Sequence, residues 1–195
     1  MTTTPTRLSK QARRAQLLDA AMGIVRDAGA DGLSLPTLAE AAGVSRPIVY
    51  DHFGTRSGLL LALYRQLDER HRAVTTKALQ SAEPTAAGIA RVISTAYFAC
   101  ATDMPEFNAV SAALKGDPEM EAIQREMYDS YTDLMVAALA PHSALSGDAL
   151  RLHCVGALGA AEAIAAQLNR ERVGMDDAIT ALTGLIIGRL GAGAD

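Results

Sequence analysis

Two consecutive helix-start signals constrain this chain more than any other feature: Ser34-Leu35-Pro36, and then Ser45-Arg46-Pro47. Serine is a favoured helix N-cap, and proline is tolerated in a first turn, where its missing N–H would have no intrahelical partner. One helix is therefore predicted over Leu35–Ala42 and a second from Ser45 to about His52, with Gly43 ending the first. Two short capped helices joined by the tight turn Ala42-Gly43-Val44-Ser45 make a helix-turn-helix. Leu38, Ala39, Val44, Val49 and Phe53 are expected to form its small apolar core.

The rest of the chain is consistent with helices. It is rich in Ala, 49% hydrophobic and only 4% aromatic over 195 residues, which argues against an all-β fold and fits one compact unit or two small ones. A first helix is expected from about Ser9 to Ala28, where Leu17, Leu18, Ala21, Met22 and Val25 recur at helical spacing before Gly29. Beyond the helix-turn-helix, Leu59, Leu60, Leu63, Tyr64 and Leu67 predict a long helix from Arg56 to about Leu79. Further helices are expected over Ala86–Thr102, Pro105–Leu114, Pro118–Ala140, Gly147–Arg170 and Met175–Leu190, about nine in all.

Charge and cysteine usage narrow the function classes. Up to residue 56 the basic residues Arg7, Lys10, Arg13, Arg14, Arg26, Arg46 and Arg56 exceed the acids Asp19, Asp27, Asp31, Glu40 and Asp51, although the whole chain carries a formal charge of −4. A local basic excess suffices for a nucleic-acid surface, and a solvated basic tail is the competing reading. Arg7, Lys10, Arg13 and Arg14 crowd the positive end of the first helix dipole, a conflict that a phosphate partner would relieve. Cys100 and Cys154 form no CxxC or zinc-spaced cluster and are expected as buried small apolar side chains. No metal or cofactor is called for. Met1 to Lys10 lacks an apolar signal-peptide core, so a cytoplasmic protein is expected. Leu152–Asn169 holds one charge, Glu162, but its many Gly and Ala residues suit close helix packing better than a membrane span.

The run "LSLPTLAEAAGVSRPIVYDHFGTRSGLLLALY", preceded by "RAQLLDAAMGIVRDAGADG", resembles the DNA-binding domain of the tetracycline-repressor (TetR) family of bacterial transcriptional regulators. The resemblance covers about residues 10 to 65 and rests on AAGVS, on a Tyr five residues after that Ser, on His-Phe and on a basic residue before a Leu-rich helix. It implies an all-α protein in which a three-helix DNA-binding domain, residues 1–56, is joined by a long helix to a helical ligand-binding and dimerisation domain, residues 57–195.

A helix-turn-helix sets the start of its second helix against base edges in the major groove. Arg46 is the candidate base reader, since a guanidinium can bond guanine O6 and N7 together; an exposed Arg touching phosphate is the alternative. Pro47 and Ile48 can offer only apolar contact, for example to a thymine methyl group. Tyr50 and His52 match family positions that bond phosphates, and so does Arg56, while Ser34 and Ser45 can add hydroxyl or backbone contacts. Three departures stand out: Asp51 on the recognition helix, Pro36 where a polar contact is usual, and Ser57-Gly58, expected to weaken the start of the fourth helix.

In the second half, Tyr97, Phe98, Met104, Phe107, Met127 and Tyr131 gather most of the remaining aromatic and Met side chains and are the candidate effector-binding residues, with His153 as a polar handle. Ordinary core packing is the competing reading of that stripe. Gly156 with Ala160, and Gly184 with Gly188, are small residues four apart on two apolar helices, matching the dimer interface that the resemblance implies. The expected protein is a homodimeric repressor of double-stranded operator DNA, released by a small-molecule effector, with no catalytic residues. A helical carrier with a vestigial DNA-binding domain is the alternative; a di-iron enzyme lacks its paired Glu-x-x-His motifs.

Overall fold

The computed structural model describes residues 8–191, so Arg7 of the basic start lies outside the described residues. Among these residues there are nine α-helices and no strand. They are α1 (Lys10–Ala28), α2 (Leu35–Ala41), α3 (Arg46–Phe53), α4 (Arg56–Gln80), α5 (Ala86–Asp103), α6 (Pro105–Ala113), α7 (Pro118–Leu139), α8 (Gly147–Leu168) and α9 (Met175–Ile187), with 3-10 turns at Ala30–Gly32 and Ala140–His142. The chain divides into two compact units: residues up to Leu67 together with Pro105–Met120, and Asp68–Met104 together with the chain from Glu121 onward.

The first unit is built on α1 to α3. Ser9 caps α1 by accepting from the Ala12 N–H, and Leu17, Leu18, Ala21, Met22 and Val25 form its buried face. At α2 the Ser34 hydroxyl accepts from the Thr37 N–H while the Thr37 hydroxyl accepts from the Ser34 N–H, a closed capping box. Leu38 and Ala39 on α2 face Val49 and Phe53 on α3, all buried, with Val44 half-buried between them. Gly43 has φ +64°, which lets the chain reverse between the two helices at no steric cost.

The unit extends past residue 56. Leu59, Leu60, Leu63, Tyr64 and Leu67 of α4 are buried, and so are Val110 and Leu114 from the α6 segment. The Phe107 ring lies 4.6 Å from that of Tyr64. Arg26 on α1 donates to buried Glu106 at 2.8 Å; Glu106's own backbone N–H and that guanidinium hold its carboxyl below the usual range against the effect of burial. Ser57 donates to Asp117, whose other oxygen accepts the N–H groups that open α7. These residues explain the Ser57-Gly58 departure. A Cβ on residue 58 would stand 2.4 Å from the Phe53 carbonyl oxygen, so glycine permits α3 and α4 to close on one another and Thr55 caps the start through the Gly58 N–H.

The second unit packs α5 against α8 and α9. Ile93 and Phe98 of α5, Met135 and Leu139 of α7, Cys154, Leu158 and Ala161 of α8, and Leu182 and Ile186 of α9 share its core. Buried Ser94 donates to the Ala90 carbonyl and accepts from half-buried Thr183, linking α5 to α9. By length and composition α8 is apolar enough to cross a membrane, yet Leu150, Cys154, Ala157, Leu158, Ala161 and Ala165 are buried within the unit.

Candidate nucleic-acid interface and effector residues

α3 has two faces of opposite character. Val49 and Phe53 point into the domain, whereas Arg46, Pro47, Ile48, Tyr50 and Asp51 are exposed, Tyr50 to 50%. An exposed aromatic, an exposed Ile and a cation on one eight-residue helix are poorly explained by stability. Ser45 occupies the N-cap position, but its hydroxyl makes no capping bond. The reason is local: Pro47 has no N–H, and the Ile48 N–H is taken by the Ser45 carbonyl at 3.0 Å. The Ser45 hydroxyl thus makes no cap, whereas that of Ser34 is engaged by Thr37.

Basic residues at the start of α1 lie beside the end of α3. Arg14 donates to the His52 carbonyl at 3.0 Å and its guanidinium covers the Phe53 ring at 4.9 Å. This gives the carbonyl end of α3 a cation. Lys10 pairs with Asp51 at 3.7 Å, both well exposed, which sets a cation beside the carboxylate of α3. Burial lowers the pKa of His52 despite Asp51, with Lys10, Arg14 and Arg13 adding to the fall.

Arg56, its side chain 40% exposed, turns two of its donors toward the domain. Its Nε donates to the Leu33 carbonyl at 2.8 Å and its Nη2 to the Ala30 carbonyl at 2.7 Å, with Asp31 nearby at 3.8 Å. It thereby ties the start of α4 to the turn that leads into α2.

The candidate effector residues separate into groups. Tyr97, Phe98 and Tyr131 come together in the second unit: the Tyr97 ring meets Phe98 edge-on at 5.6 Å and Tyr131 at 6.4 Å. Met104 ends α5 and Met127 lies on α7, both half-buried. Phe107 belongs to the first unit, against Tyr64. His153 bonds the Ile186 carbonyl through Nε2 at 2.7 Å, so that nitrogen serves α8–α9 packing. The sequence reading missed Asp68, His71 and Thr75, which continue the buried stripe Leu60, Tyr64, Leu67 of α4 in polar form. That continuation was the available signal. Among the described residues no group of three or more His, Cys, Asp or Glu side chains is placed to hold a metal ion.

Residues 17–63 match the family described as bacterial regulatory proteins, tetR family. The HTH-type transcriptional regulator BetI of Burkholderia mallei (strain NCTC 10229) is 34% identical over 89 residues, 46% of this chain and 46% of that one, so the chain spans about half the length of the curated relatives it matches. A protein with unknown function from Rhodococcus sp. RHA1 superposes with a TM-score of 0.77 at 24% identity, covering 97% of this chain and 100% of that one. The transcriptional regulator FadR from Bacillus subtilis, in complex with stearoyl-CoA, gives 0.68 at 16% identity, with 93% and 99% covered. These structural likenesses are of fold.

Proposed function

We propose, from the match of residues 17–63 to the tetR family of bacterial regulatory proteins, that the protein is a cytoplasmic, homodimeric transcriptional repressor that releases its operator when a small molecule binds the second unit. The exposed face of α3 supports this reading most: Arg46 and Ile48 read base edges, while Tyr50, the Ser45 hydroxyl and His52 hold phosphates. Arg56 and Arg14 act as positioning residues, since their donors fix the helices that carry the readers. The FadR–stearoyl-CoA complex supports effector binding only by likeness of fold. The test is release: the operator complex is challenged with candidate effectors, and the reading fails if every compound that binds the protein leaves the complex intact.

The His52 assignment predicts proton linkage. The free protein holds this imidazole below its usual pKa, and a phosphate beside it favours the charged form, so the complex takes up a proton. Operator affinity should rise as pH falls from 8 toward about 5.5, and His52→Gln should flatten the dependence. A wild-type profile already flat across that range would remove His52 from the phosphate set.

The dimer is assigned to the outer faces of α8 and α9. Leu152 is 72% exposed and Leu185 51%, and a Cβ at Gly156, Gly159 or Gly184 would meet nothing within 4 Å. A second copy of the chain would cover these apolar and small residues and bring two α3 helices to successive major grooves. Leu185→Glu is expected to shift sedimentation from dimer to monomer and to weaken operator binding; an unchanged dimer would place the interface elsewhere.

A further inference from the structure

Within the second unit, residues from α4, α5 and α7 surround a phenol whose oxygen receives no donor. Tyr131 is 9% exposed, and its buried hydroxyl makes no hydrogen bond of normal geometry. Buried polar groups are nearly always satisfied, and an orphan of this kind calls for a missing partner. Thr75 donates its own proton to the His71 carbonyl at 3.0 Å, and its oxygen lies close enough to take the phenol's proton, which leaves the Tyr131 oxygen itself without a donor. The His71 ring stacks on Tyr131, centroids 5.9 Å apart and 14° from parallel, and the Tyr97 ring meets Tyr131 at 70°.

The buried groups here are neutral or acidic, and the cation beside them, Arg72, is exposed. Burial lowers the pKa of His71, which keeps the imidazole neutral at pH 7, and burial beside Asp68 pushes the Cys100 thiol up to about 11. Both tyrosines stay protonated. Asp68 supplies a half-buried carboxylate, raised by desolvation and only partly compensated by Arg72, whose exposed guanidinium also donates to Ser130. Glu162 adds negative potential at Tyr97 and Tyr128.

We propose that this group binds an organic ammonium cation, its charge set against the rings of Tyr97 and Tyr131 and its N–H donated to the Tyr131 oxygen and the Asp68 carboxylate. Ring faces carry the negative end of the aromatic quadrupole and attract a desolvated cation. A neutral guest would leave the desolvated Asp68 with only the exposed Arg72 to compensate it, and an anion would meet Asp68 and Glu162 with no buried cation to receive it. The proposal rests on the reading of the second unit as the effector-binding part.

Three near-isosteric probes separate the possibilities by calorimetric titration of the full-length protein: 2-phenylethylammonium, neutral propylbenzene and anionic 3-phenylpropionate. The cation should bind at least about tenfold more tightly than either of the others. Asp68→Asn should erase that preference and leave propylbenzene unaffected. Tyr131→Phe keeps the ring and removes the orphan hydroxyl, so the cation should bind several-fold more weakly while thermal stability does not fall. Equal affinity for the three probes, or a preference that survives Asp68→Asn, overturns the charge assignment and leaves effector binding standing. Failure of the cation to bind at all also overturns the proposal; if no probe binds and none disturbs the operator complex, the effector reading loses its support as well.

Discussion

Arg46→Ala is expected to abolish most of the protein's preference for its operator while leaving its affinity for random duplex nearly unchanged. The side chain is exposed at the first position of α3, and the buried anchors Val49 and Phe53 on the opposite face do not depend on it. A bidentate guanidinium–guanine pair contributes about 1–3 kcal/mol of discrimination, or roughly 5- to 150-fold for each half-site. In a dimer the loss occurs twice, so the specificity ratio should fall by roughly the square of that factor. Stability should not change, because the residue makes no contact on which the domain relies. If operator and random DNA weakened together, Arg46 would be a phosphate contact, and base reading would have to be assigned to Ile48 or Tyr50.

Arg56→Met is expected to destabilise the folded protein by about 2–4 kcal/mol, since it removes two charge-assisted hydrogen bonds to the Ala30 and Leu33 carbonyls. The apolar stem is preserved, so the loss is one of donors and not of packing. Urea denaturation measures it. The family resemblance instead puts this position on DNA, and the two roles make different signatures. A phosphate contact would leave stability intact and reduce the slope of log affinity against log salt by roughly one. The geometry predicts the stability loss, with any weakening of DNA binding following from misplacement of α2 and α3.

Sequence reading reached its limit where contacts are not local. Caps and breakers are local, so α2 and α3 were legible almost to the residue from Ser34, Pro36, Gly43, Ser45 and Pro47. The exposed face of α3 followed from the helix-turn-helix pattern and the family resemblance, with Val49 and Phe53 expected in the core. Contacts between residues far apart in the chain had no such signal. Arg26 meets Glu106 across eighty positions, and α6 joins the unit of α1 to α3 although it follows α5 in the chain. Closeness in sequence grouped Phe107 with Tyr97 and Phe98, yet it packs on Tyr64. Gly58 read as a weakness because helix propensity is counted residue by residue, whereas its proximity to the Phe53 carbonyl is a tertiary fact. Asp68, His71 and Thr75 escaped notice because polar residues at helical spacing ordinarily mark a solvated face; only the burial of Thr75 and the ring stacked on His71 show that they face inward.

The central claim is sequence-specific recognition of duplex DNA by α3, and the specificity ratio tests it directly. Fluorescence anisotropy at fixed salt would compare duplexes from the region flanking the protein's own gene with scrambled duplexes of the same length and composition. The account predicts a saturable complex of two chains per site, at least about a thousandfold tighter than on scrambled DNA. Arg46→Ala should reduce that ratio toward one. Binding of equal strength to both duplexes, or no complex with either, would contradict it.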